Sequence, residues 1–228
     1  MSRGWLIVFA KAPRPGLVKT RMSPPLSFEE SAALYEAILG DVLVATARFA
    51  TQLDLEAVVA FHPPEAVGEL IACIPPGYRL HPQRGRNLAE RMAFAAREAA
   101  AAGVQRILIR GSDSPGLPLA CFEQVMARLD AGDEVVLTPD QGGGYALIGL
   151  CRSEPGIFDA PMSTTAVLEQ TLDCARRLGM RVSTTQPGFD LNVVGDIQLI
   201  ERMSAHDRAD LCPLTIQYLS ESSLTCVL

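Results

Sequence analysis

The chain has 228 residues, 48% of them hydrophobic and 20% charged, with a formal net charge of −6. Such a length and composition suffice for a full core in one domain and exclude a disordered chain, while an acidic balance without a basic stripe excludes a protein that grips the nucleic-acid backbone. The apolar stretches are strand-sized, far below the roughly 20 residues of a membrane helix, and the six cysteines (Cys73, Cys121, Cys151, Cys174, Cys212 and Cys226) are scattered without a CxxC pair or a secretory leader, so the expectation is a soluble cytoplasmic protein with reduced thiols and neither a disulfide framework nor a zinc knuckle.

In chain order, residues 5–10 read as a buried first strand. Residues 9 to 21 then read FAKAPRPGLVKTR, which places four positive charges, Lys11, Arg14, Lys19 and Arg21, around two prolines and Gly16 with no acid between them. A solvated loop is the ordinary reading of a basic cluster. Its position after the first strand favours an anion cradle for a di- or triphosphate, because open α/β sheets bind ligands outside the carboxyl ends of their strands. Ser27 with Glu30 forms a capping-box pattern for a helix running to about Phe49, and residues 55–61 read as the next strand. A short strand ends near Pro82, within PQRGRNLAERM, residues 82 to 92. Gln83 and Arg91 of that segment are candidates to reach a base or phosphate, Arg84 and Arg86 read as a solvated helix start, and Asn87 with Glu90 opens a helix continuing to Ala102.

The strand expected at 106–110 leads into IRGSDSPGLP, residues 109 to 118. Asp113 at that strand end is the leading metal ligand, since Mg²⁺ usually takes one or two protein carboxylates with phosphate oxygens and waters; a turn-forming aspartate explains the residue alone equally well. Pro118 opens a helix ending near Gly132, and a strand is expected at 134–138. TPDQGGGYALIGL, residues 138 to 150, puts three glycines before a strand at 145–150. Gly142, Gly143 and Gly144 permit positive φ and close backbone approach of a sugar or acceptor, with Asp140 in the same loop a lesser candidate to contact an acceptor hydroxyl, although a plain hairpin turn accounts for glycines nearly as well. A helix is expected from about Thr165 to Gly179. FDLNVVGDI, residues 189 to 197, places Asp190 and Asn192 on one face if extended, which offers Asp190 as a second metal ligand, Asn192 as a neutral neighbour and Asp196 as a helix cap. A late helix is expected over 195–203, and the division is one domain over 1–212 followed by a tail or edge element over 213–228. His62, His81 and His206 lack metal-ligand spacing and read as structural. Neither a GxGxxG after a strand nor the GxxxxGK[ST] order occurs.

Taken in order, FAKAPRPGLVKTR, PQRGRNLAERM, GSDSPGLP, GGGYALIGL and FDLNVVGDI resemble a bacterial family of GT-A-type nucleotide-diphospho-sugar transferases, often labelled glycosyltransferase-like, and more distantly the 2-phospholactate and molybdenum-cofactor guanylyltransferases. The likeness spans roughly residues 5 to 203. It implies an α/β fold, a GT-A-like (Rossmann-like) mostly parallel mixed sheet between helices, with an N-terminal nucleotide half and a C-terminal acceptor half. By position, Lys11, Lys19 and Arg21 would face the phosphates, in a nucleotide subsite that also includes Gly16, Gln83 and Arg91. Asp113 and Asp190 would hold Mg²⁺ or Mn²⁺. Lys19, Arg21 and Asp113 would carry catalysis, and Asp140, Gly143, Gly144 and Tyr145 would meet the acceptor. The expected protein is a metal-dependent transferase using a nucleoside triphosphate or nucleotide sugar and a small-molecule acceptor, with no nucleic-acid or membrane partner; a homodimer is compatible with it. The family usually has aspartates where this chain has Gly142 and Asn192, which motivates an alternative, a catalytically weakened nucleotide-binding protein of the same fold.

Overall fold

In the computed structural model, residues 3–159, 162 and 164–222 are described. Strands β1 (Gly4–Lys11), β2 (Leu55–His62), β3 (Arg79–Pro82), β4 (Ile107–Gly111), β5 (Val135–Pro139), β6 (Tyr145–Leu150) and β7 (Val182–Thr184) build one sheet in the order β3-β2-β1-β4-β6-β5-β7. Only β6 runs against the rest, antiparallel to both β4 and β5. The mostly parallel mixed sheet is therefore as expected.

Both faces of the sheet are covered, which is why its strands read as apolar runs rather than alternating ones. Successive residues of β1 divide between two cores: Leu6, Val8 and Ala10 face the layer containing α1 (Phe28–Gln52) and α4 (Leu119–Asp130), while Trp5, Ile7 and Phe9 face α3 (Leu88–Ala101) and α5 (Val167–Arg177). Local signals set the helix starts. The Glu30 N–H donates to Ser27 Oγ at 3.0 Å while the Ser27 N–H donates to the Glu30 carboxylate at 2.8 Å, closing the capping box. At α3 the Glu90 N–H donates to Asn87 Oδ1 at 2.9 Å.

The remaining helices are short: α2 (Val67–Leu70), α6 (Ile197–Glu201), α7 (Ala205–Leu211) and α8 (Pro213–Glu221). The late helix expected over 195–203 is a 3₁₀ turn, Val194–Asp196, followed by α6. The stretch expected to be a tail or edge element is, over its described part, helix α8, held against α1 by Asp41. That carboxylate is 2% exposed and accepts from the Leu214 N–H, the Thr215 N–H and Thr215 Oγ1 at 2.9, 2.8 and 2.7 Å. The five described cysteines are free, and Cys226 lies outside the described residues. His81 packs against the Trp5 ring at 5.2 Å, a structural placement as expected.

The topology leaves an opening at one end of the sheet. From β1 the chain proceeds to β2 on one side, and β4 returns on the other, with Gly111 in register opposite Phe9. The carboxyl ends of β1 and β4 thus flank a topological switch point, where open α/β sheets leave a crevice. Because β6 is reversed, the β5–β6 hairpin loop opens at the same end.

Candidate functional site

Four segments meet at this end: the basic loop after β1, the Ser112–Ser114 turn after β4, the Asp140–Gly144 loop, and the irregular stretch 185–193. The first two are joined through Tyr35 of α1. Its buried hydroxyl accepts from the Lys11 N–H at 2.9 Å and hydrogen-bonds Ser112 Oγ at 2.9 Å, and burial raises its pKa.

Within the basic loop the four cations have different fates. Gly16 takes φ +74° to close the turn in which the Leu17 N–H donates to the Arg14 carbonyl at 3.1 Å. Arg14 is engaged by Glu69 in a two-pronged pair at 2.9 and 2.6 Å. Lys11 and Arg21 are exposed and have no ion-pair partner among the described residues. Lys19 turns inward: its side chain is 4% exposed, and its ammonium donates to the Asp113 carboxylate and to the Leu191 carbonyl. It is a counter-ion inside the cleft wall.

Asp113 and Asp190, expected to act together, are brought together. The Leu191 N–H donates to the Asp113 carbonyl at 2.9 Å, so the two segments share a main-chain bond. Ser114 Oγ donates to Asp190 Oδ1. Loss of solvent, with the Asp113 and Asp140 charges nearby, pushes the Asp190 pKa up to about 7 against the opposing Ser114 hydrogen bond and Lys19. Beneath them lies Arg110, 0% exposed, which donates to Thr46 Oγ1 at 3.1 Å and to the Ser114 carbonyl and stacks over Phe122 at 5.4 Å. Burial lowers its pKa to about 10. Arg110 braces the turn that presents Asp113, a role invisible in the sequence because an arginine ending an apolar run ordinarily reads as exposed.

Several expected contacts are placed differently. Asn192 does not share a strand face with Asp190, since residues 187–192 form no strand; the N–H groups of Asn192 and Val193 donate to Asp196 Oδ2 at 2.7 and 2.8 Å, so Asp196 ties down the entry to the 3₁₀ turn, and its side chain makes no capping hydrogen bond to α6, where a helix cap was expected. Gln83 is 7% exposed, and its amide NH₂ donates to the Ala10 and Ala60 carbonyls at 3.2 and 2.7 Å, a brace between strand ends with no amide donor left for a base. Arg91 Nε donates to the Gly85 carbonyl at 3.1 Å. Asp140 closes its own loop: Oδ1 accepts from the Gly142 and Gly144 N–H groups at 2.6 and 3.0 Å. Gly143, at φ +83°, lies so close to the Thr165 carbonyl that a Cβ would sit 2.0 Å from it. The Tyr145 hydroxyl is buried near Thr171 without a hydrogen-bonding partner of good geometry, so it does not face an acceptor.

The donor set fits a hard divalent cation of the Mg²⁺ type. No group of three or more His, Cys, Asp or Glu side chains able to hold a metal occurs among the described residues, but two carboxylates, one in a poorly solvated wall, are what such an ion takes when phosphate oxygens and water complete its shell. A cavity of about 810 Å³ flanks α3, lined among others by Arg84, Phe94, Arg97 and Phe158, and neither carboxylate borders it. No helix among the described residues is long and apolar enough to cross a membrane.

A single mixed sheet of this order, with its carboxylates at the switch point, has the fold of the nucleotide-diphospho-sugar transferases. A crystal structure from Desulfovibrio desulfuricans G20, provisionally named a nucleotide-diphospho-sugar transferase, is 26% identical, with 96% of each chain covered and a TM-score of 0.85. A cytidylyltransferase from Leptospira borgpetersenii serovar Hardjo-bovis (strain JB197) is 10% identical over 97% of this chain and 95% of that one, with a TM-score of 0.56. CMP:2-keto-3-deoxy-manno-octonic acid synthetase, solved with CTP, is 11% identical over 87% and 97%, with a TM-score of 0.53. At these low identities the last two show shared fold alone. The chain belongs to the family DUF2064, "uncharacterized protein conserved in bacteria", whose profile matches residues 45–164, more than half of its length. No curated protein matches the sequence.

Proposed function

We propose that the protein is a metal-dependent transferase acting on a nucleotide-activated donor at the carboxyl ends of β1 and β4. The observation that carries this reading is the meeting of Asp113 and Asp190, 77 positions apart in the chain, through the Asp113–Leu191 main-chain bond, at the switch point beside the basic loop. Lys11 and Arg21 hold the donor phosphates by charge-assisted hydrogen bonds. Lys19 keeps the Asp113 carboxylate and the Leu191 carbonyl in place, and Arg110 and Ser114 fix the wall on which Asp190 stands. Asp113 and Asp190 are the residues to hold Mg²⁺ or Mn²⁺, which when bound neutralises charge on the phosphates. Most of the acceleration then comes from positioning and fixed electrostatics. The acceptor approaches from the Asp140–Gly144 side. Of the two reaction types, nucleotidyl transfer from a triphosphate is favoured by the two loop cations without an ion-pair partner among the described residues, Lys11 and Arg21, because such charges are worth most when pyrophosphate departs; sugar transfer is favoured by the likeness to the Desulfovibrio protein.

A second reading, a nucleotide-binding protein with weakened catalysis, is supported by Gly142 and Asn192 standing where the resembling family usually has aspartates. A thermal-shift screen of nucleoside triphosphates and nucleotide sugars, with and without Mg²⁺, tests both. A ligand at a hundredfold excess over its Kd stabilises by about 2.7 kcal/mol, so the transferase reading expects a clear Mg²⁺-dependent rise in Tm followed by turnover with an acceptor. A rise without turnover over a broad acceptor panel favours the second reading, and no rise with any nucleotide contradicts both.

A further inference from the structure

Gln141 is an exposed side chain in the middle of the glycine loop, and nothing in its sequence context marks it. Yet its amide is doubly engaged by the main chain of one residue: Nε2 donates to the Asp190 carbonyl at 2.6 Å, and the Asp190 N–H donates to Oε1 at 3.0 Å. A carboxamide that both gives and takes a bond with one residue does what a neighbouring β-strand would do for it. The stretch around Asp190 needs such a partner because it belongs to no strand and must still satisfy its backbone groups. The base of Gln141 is itself fixed, since Asp140 on one side and Gly142 and Gly144 on the other are tied by the Asp140 carboxylate and by the Asp140 N–H, which donates to the Gly144 carbonyl at 3.1 Å.

We propose that Gln141 is a positioning residue, its amide acting as a surrogate strand for the main chain of Asp190, so that the placement of the Asp190 carboxylate depends on the conformation of the Asp140–Gly144 loop. The inference rests on the reading of Asp190 as a metal-holding residue for its consequence, although not for its geometry. Lys19 and the Asp113 carbonyl hold Leu191 from the nucleotide side, and Gln141 holds Asp190 from the acceptor side. A change in the acceptor loop is thereby transmitted one residue away from the nucleotide-side clamp.

The test compares the full-length protein with Gln141→Met, which keeps side-chain length and removes both hydrogen bonds, and with Asp190→Asn. Amide hydrogen exchange of residue 190 reads the clamp, with the β4 amides as an internal control for the fold. Binding of Mn²⁺ alone, followed by electron paramagnetic resonance, reads the carboxylate. Gln141→Met is expected to speed exchange at Asp190 about tenfold with β4 unchanged, and to weaken Mn²⁺ binding by several-fold, as loss of a bond of this class allows. Unchanged exchange at Asp190 overturns the inference, as does wild-type Mn²⁺ affinity in Gln141→Met when Asp190→Asn has lost it. Equal Mn²⁺ binding by wild type and Asp190→Asn overturns the metal role of Asp190 instead, and the exchange measurement then judges the clamp by itself.

Discussion

Lys19 adopts φ 47°, a left-handed conformation uncommon for a residue with a side chain, and directs its ammonium into the cleft wall. Removing it therefore disturbs the wall rather than a phosphate contact. Lys19→Ala frees Asp113, whose side chain is 41% exposed and can be resolvated, so the stability loss is about 1 kcal/mol. Asp113→Asn is the harsher change because it strands a buried ammonium; about 2 kcal/mol is expected, below the usual cost of breaking a buried pair since one partner is half in water. Arg21→Ala, at an exposed site, leaves the fold unaffected. Calorimetric titration of nucleoside tri-, di- and monophosphates separates these roles: for Arg21→Ala the affinity loss shrinks as the phosphate chain shortens, and equal losses for all three ligands would remove the phosphate assignment, whereas Lys19→Ala, which acts through Asp113 and the Leu191 carbonyl, loses affinity mainly in the presence of Mg²⁺. Gly142 gives a different test. An added Cβ would meet Asp140 Oδ1 at 3.2 Å, an oxygen held by the Gly142 and Gly144 N–H groups, so Gly142→Asp requires a small shift of the Asp140 carboxylate. Steady-state kinetics should show it changing turnover with acceptor more than nucleotide affinity; a change in affinity alone would misplace this loop.

Elements whose signals are local were legible in the sequence, and those whose signals are distant were not. Ser27 with Glu30 and Asn87 with Glu90 carry their own capping hydrogen bonds, and β1, β2, β4, β5 and β6 announce themselves as apolar runs between turn residues. By contrast β7 has only three residues, Val182–Thr184, half-buried throughout, and reads as coil until it is seen paired with β5. Helix α8 was hidden for a related reason: its N-terminus is capped by Asp41, 172 residues before Pro213. Asp41→Ala leaves two N–H groups and a hydroxyl without their acceptor, and a loss of about 2 kcal/mol is expected in urea unfolding, at the upper end for a helix cap. A variant within 0.5 kcal/mol of wild type would show that α8 contributes little to the fold.

At the scale of the whole molecule, the sequence pointed to the correct sheet class and to two carboxylates that do converge. It missed the residues that make them converge. Arg110, Ser114 and Gln141 act by supporting other residues, through partners that are distant or main-chain, and no spacing rule reveals that kind of contact. The internal contacts of the hairpin are equally hidden in the sequence: Asp140 secures its own loop through the Gly142 and Gly144 N–H groups, and the Tyr145 hydroxyl is buried. What remains is a division of labour across the switch point: a basic loop and Asp113 on one side, the Asp140–Gly144 loop on the other, and Asp190 between them. The most direct measurement of this arrangement is the affinity of wild type, Asp113→Asn and Asp190→Asn for the nucleoside triphosphate that most raises the wild-type Tm, determined by calorimetry with Mg²⁺ and with EDTA. The prediction is that wild type binds at least tenfold more tightly with Mg²⁺, a difference of about 1.4 kcal/mol, and that both variants remain folded and lose that difference. Variants that bind with the full Mg²⁺ dependence of wild type would contradict the assignment of these two carboxylates.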